Sequence, residues 1–182
     1  MPTHSIQPPG AGTPAPGFDE PFDMLRACHE RVHRMLALLE RLGRHVDANG
    51  ADEQARQAAR DVMRYFDLAA PQHHLDEERH VIPRLAAAGD PALAALAARL
   101  QDEHRAMSEG WARVRPLLLS LAEGERTGFD TEAHRAFQDY ARLYASHIEA
   151  EESAAFPAAE AGMDGTALQA MSQDMAGRRG VG

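Results

Sequence analysis

One short pattern occurs twice in this chain, and it constrains the fold more than any other feature. His73-His74-Leu75-Asp76-Glu77-Glu78 leads to Ile82-Pro83, and His147-Ile148-Glu149-Ala150-Glu151-Glu152 leads to Phe156-Pro157. Both read H-x-x-x-E-E-x-x-x-[I/F]-P. Upstream, His29 precedes His73 by 44 residues and His104 precedes His147 by 43. Each half therefore reads as a hairpin of two helices, with one histidine on the first helix and His-x-x-x-Glu on the second. Two such hairpins set antiparallel predict an all-α fold: an up-down-up-down antiparallel four-helix bundle with a pseudo-two-fold internal repeat.

The helix signals agree with this. A first segment is expected over residues 21–47, with Pro21 tolerated in its first turn and Asn49-Gly50 ending it. A second is expected over 52–85, locally bent by Pro71. A third runs over 91–123, with Asp90 as N-cap and a possible bend at Pro116, and a fourth over 131–161, with Asp130 as N-cap and Gly162 past its end. The third has the seam of a packed bundle helix, Leu93, Ala97, Leu100, His104, Met107, Trp111, Val114, Leu118 and Leu121, in alternating steps of four and three. Residues 1–18, rich in Pro and Gly, read as a disordered tail, 19–161 as the bundle, and 162–182 as a C-terminal tail in which a short amphipathic helix over Thr166–Arg178 is the alternative.

Spacing places six ionisable groups on the apolar seams. His104 lies on the third seam, His147 and Glu151 on the fourth, His73 and Glu77 continue Met63, Phe66 and Ala70, and His29 falls between Leu25 and Val32. Unpaired carboxylates in a core cost several kcal/mol, so two carboxylates converging with four imidazoles point to bound cations. His74 and Glu78 form a rival i,i+4 pair, but only His73 and Glu77 match His147 and Glu151 in register to the proline. Glu78 and Glu152 are accordingly expected to lie off the site. His45, His80 and His134 read as surface or boundary residues. Ten histidines stand beside a single cysteine, Cys28, which excludes a disulfide framework or a multi-Cys cluster and favours a hard or borderline metal. A formal net charge of −9 disfavours a nucleic-acid partner. No apolar run is long enough to span a membrane and no secretory signal is legible, which makes a cytoplasmic location the expectation.

Four histidines and two glutamates in this order, over about residues 20–160, resemble the hemerythrin-like, or HHE cation-binding, domain family. The resemblance implies a cofactor of two iron ions inside the bundle, with His29, His73, His104 and His147 as terminal ligands and Glu77 and Glu151 as bridging carboxylates. It implies a protein, more a binder than an enzyme, that binds or senses dioxygen, nitric oxide or iron. A di-iron enzyme consuming peroxide or nitric oxide is the alternative, as is a bundle occupied by zinc or manganese. A ferritin-like site is disfavoured, because its Glu-x-x-His pair has no counterpart in the second half. Oxygen-carrying hemerythrin has a His-x-x-x-His pair on its third helix, whereas Ser108 stands four residues after His104 here. His33, four after His29, either supplies that fifth imidazole or is a boundary residue touching water. Tyr140 and Tyr144 are core packing or hydrogen-bond donors to a bound ligand.

Overall fold

The computed structural model describes residues 17–181. Among them there is no strand, and five helices pack antiparallel. α1 spans Pro21–Asn49. The second rod is composite: α2 Glu53–Arg64, a π-helical turn Tyr65–Ala69, α3 Ala70–His80 and α4 Ile82–Ala87. α5 spans Pro91–Ala122 and runs unbroken through Pro116. The fourth rod joins α6 Thr131–Ala150, a π-helical turn Glu151–Ala155 and α7 Phe156–Ala161. Each rod packs against the next, and the fourth returns to the first. A fifth helix, α8, occupies Gly165–Arg178. Of the tail read over residues 1–18, all but the last two residues lie outside the described residues; Phe18 packs on the bundle with the Arg179 guanidinium over its ring.

Local chemistry sets these boundaries. Asp52, Asp90, Asp130 and Asp164 each accept a hydrogen bond from a backbone N–H of the following turn, at 2.8 Å. Gly50 takes φ 78° to turn out of α1. Both π-helical turns end two residues before a proline, Pro71 and Pro157. A proline ring crowds the carbonyl four residues back and offers no N–H. The wider turn relieves this, with the N–H groups of Ala70 and Phe156 donating five residues back to Tyr65 and Glu151. The bend expected at Pro71 is thus a π-helical turn.

The core is split in two. One apolar cluster holds Val32, Ala70, Met107 and Ile148, and the other holds Leu25, Val81, Leu100 and Ala155. On every rod the predicted histidine or glutamate falls between a residue of the first cluster and one of the second, so the ionisable groups form a polar layer between two greasy ones.

α5 approaches α6 closely at Gly110, which is buried where the sequence pattern favours Trp111; the indole lies at the boundary instead. A Cβ at Gly110 would stand 2.9 Å from Tyr140 Cδ2 and 3.1 Å from Leu143 Cδ1. Tyr140 is itself wedged against Phe66 and Trp111. Gly110→Ala is therefore expected to destabilise the protein by about 1–3 kcal/mol, the usual scale of overpacking. Chemical denaturation measures this, and an unchanged midpoint would mean that Tyr140 moves aside freely.

Candidate metal centre

The six seam residues predicted to converge do so, and none is more than 3% exposed. They form two overlapping clusters: His29, His73, Glu77 and Glu151, and Glu77, His104, His147 and Glu151. Within each, the candidate ligand atoms all lie within 4.8 Å of one another. The carboxylates span both. Glu77 turns Oε1 to Nε2 of His73 (3.0 Å) and His29 (3.7 Å), and Oε2 to Nε2 of His104 (3.4 Å). Glu151 turns Oε2 to His29 (3.1 Å) and Oε1 to His147 (3.2 Å). Each glutamate thus offers one oxygen to either pair of imidazoles.

The electrostatics of this layer are strained without a cation. All four carboxylate oxygens and Nε2 of His29 are buried with no hydrogen-bond partner, since the imidazole nitrogens beside them are near but misaligned. Burial, and then the charge of Glu151, raise the pKa of Glu77. Glu151 moves the other way: burial opposes its charge, but His147 and His29 hold it below the usual carboxylate range. Burial likewise opposes charge on His29, yet contact with Glu151 and Glu77 outweighs it and pushes the pKa up to about 10. His104 and His147 are raised in the same way by their carboxylate neighbours, whereas burial lowers His73; orphaned buried oxygens with three of four imidazoles drawn toward protonation mark a site suited to positive charge. The donor set, imidazole and carboxylate, fits divalent or trivalent borderline metals.

The far nitrogens of three imidazoles are held by further carboxylates. Nδ1 of His29 pairs with Glu152 (2.8 Å), Nδ1 of His104 with Glu78 (3.1 Å) and Nδ1 of His147 with Glu103 (2.9 Å). The expectation that Glu78 and Glu152 lie off the site is corrected here. Helical geometry does turn them about 100° from Glu77 and Glu151, but their length carries them sideways onto a histidine of the opposite hairpin. The doubled Glu-Glu of the repeat was the signal: one carboxylate faces inward and the next reaches across. Partners of this kind orient the ring, and losing one typically costs 10–100-fold in metal affinity. Glu78→Gln and Glu152→Gln are each expected to weaken binding on that scale without abolishing it. Competition against a chelator of known affinity measures the change.

Of the two readings of His33, the structure supports the boundary residue. The α1 seam steps three residues from His29 to Val32 and then to Leu36, so His33 rotates out and is exposed. Ser108 is exposed too, and its hydroxyl donates to the His104 carbonyl at 3.0 Å. Neither belongs to a cluster. His74 stacks on His104, centroids 4.2 Å apart, rather than entering the ligand layer. The Tyr140 and Tyr144 hydroxyls pair with each other at 3.2 Å inside the core, and burial raises both pKa values. A cleft of about 650 Å³ between α3 and α5 reaches this side of the layer, lined by Phe66, His74, His104, Ser108, Trp111 and Tyr144 among others.

The outlying histidines have structural partners: His45 meets Asp52 (2.9 Å), His134 meets Asp47 (3.0 Å) and His80 meets Asp174 of α8 (2.8 Å). α8 is anchored by Asp76, which is fully buried and accepts from both Arg178 and Arg179. No helix among the described residues is long and apolar enough to cross a membrane.

The pattern that defines the hemerythrin HHE cation binding domain matches residues 20–159. An uncharacterized protein of Haemophilus influenzae is 30% identical over 168 residues, which span 90% of this chain and 92% of the relative.

Proposed function

Because the chain belongs to the hemerythrin HHE cation-binding domain family, we propose that its polar layer holds two iron ions, with dioxygen or nitric oxide as the small molecule bound or sensed there. His29 and His73 would hold one ion and His104 and His147 the other, with Glu77 and Glu151 offering an oxygen to each pair. The observation that carries this reading is the disposition of the four orphaned carboxylate oxygens, shared between two pairs of imidazoles inside the buried core. Two ferrous ions supply redox equivalents and open coordination positions for a diatomic ligand. The chain's own part is to fix the imidazole rings, balance the cationic charge with two carboxylates and exclude water. Leu25 and Leu100 close the layer on one side, Val32 and Met107 on the other. The α3–α5 cleft is the route of entry, because His104 is among its walls.

Metal analysis of protein produced with ample iron is expected to give two irons per chain. One tightly held zinc and no iron would defeat the reading. An optical spectrum of the anaerobically reduced protein, followed by dioxygen and then nitric oxide, tests the ligand. A reversible spectral change supports binding or sensing, and turnover of peroxide or nitric oxide would make the protein an enzyme instead.

A further inference from the structure

The carboxylate contacts behind the imidazoles are nearly, but not fully, repeated between the hairpins. Glu152 on His29 and Glu78 on His104 are equivalent under the pseudo-two-fold. Glu103, the residue just before His104, reaches within its own hairpin to Nδ1 of His147 at 2.9 Å. The residue just before His29 is Cys28. It is too short to reproduce that contact, and a thiol is a weak acceptor. Nδ1 of His73 is accordingly buried with no hydrogen-bond partner. His73 turns its other nitrogen, Nε2, to Glu77. When Nε2 of a neutral imidazole is a ligand, Nδ1 carries the proton, so His73 would bury an N–H that donates to nothing.

We infer that Cys28, standing where the second hairpin has Glu103, makes the two metal positions unequal, so that the His29–His73 position binds its ion more weakly and fills second. This rests on the two-metal reading above. The physical basis is ring orientation and basicity: His104 and His147 both have carboxylates behind them, whereas in the other pair only His29 does. Cys28 and Glu103 are positioning residues here, acting through an imidazole and not on the metal.

The test is a titration of the metal-free full chain with cobalt(II), followed optically in competition with a chelator. Wild-type protein is expected to bind two ions, the second at least about 10-fold more weakly, the lower end of the cost of losing such a partner. Two neighbouring cations also repel each other, so the variants discriminate. Cys28→Glu should tighten the second ion and leave the first, while Cys28→Ser should change neither. Glu103→Gln should weaken the first ion and bring the two affinities together. Glu103 is partly exposed, so this variant keeps the test decisive if Cys28→Glu fails to fold. Equal wild-type affinities, or a gap that Glu103→Gln leaves unchanged, would overturn the inference while keeping two ions per chain. So would a cobalt–thiolate band that Cys28→Ser removes, since it would make Cys28 a ligand. Fewer than two ions in total would instead defeat the two-metal reading.

Discussion

Glu151→Gln is expected to cost the protein its two-metal stoichiometry and, at the same time, to destabilise the metal-free fold. The amide keeps the shape of the carboxylate but removes the charge that Oε1 and Oε2 present to His147 and His29. One ion per chain or fewer should remain. In the metal-free state the same change removes the charge that His147 and His29 hold in place, and leaves those buried imidazoles facing a neutral amide. Removing one partner of a buried charge pair costs about 3–5 kcal/mol, because the other partner is left uncompensated. Thermal melts with and without chelator separate the two effects: wild type should fall on chelation, and Glu151→Gln should melt below wild type under chelator and fall less when chelator is added. A variant that retained two ions and remained sensitive to chelator would mean that Glu151 is no bridge.

Asp76→Ala should release α8. Asp76 accepts from Arg179 at 2.6 and 3.2 Å and from Arg178 as well, and Arg178 also reaches Gln72 and Asp174. Breaking a fully buried pair by deleting one partner costs about 3–5 kcal/mol; here Arg178 keeps Asp174 and both guanidinium groups reach solvent, so the cost falls below that range. The Met171 and Met175 contacts against the cluster of Phe22 and Leu25 would then have to hold α8 alone. Limited proteolysis should cut within residues 165–178 in the variant and not in wild type. Metal stoichiometry should stay at two, because Asp76 belongs to neither cluster. Protection of α8 in the variant would show that its apolar face suffices.

The four long segments, their caps and the six converging side chains were legible because all depend on helical period and local chemistry. Steps of three and four put His29, His73, His104 and His147 on the seams whatever the details of packing. Three things were not legible. His33 stands four residues after His29, about 40° round the helix from it, so whether it enters the site turned on the helix rotation that the packing of Val32 and Leu36 sets. Glu78, Glu103 and Glu152 act across helices, where side-chain reach and not backbone period governs. The anchoring of α8 depends on Asp76 meeting residues about a hundred positions away, although Leu168, Met171 and Met175 already carried an apolar stripe at helical spacing.

The contacts of Glu152 with His29 and of Glu78 with His104 run between the hairpins, each half lending a carboxylate to the other's imidazole. A fragment that ends near Gly89 therefore owns His29 but not the group that steadies it, and the fragment that begins near Pro91 is deficient in the mirror-image way. Complementation is the natural outcome: two separately made pieces of this chain would be incompetent apart and would recover a common centre on mixing. The short connection over residues 88–90 ties the halves together without contributing to the chemistry. A permuted gene that opens the chain there, and joins the old ends through a linker, would encode the same centre in a new order.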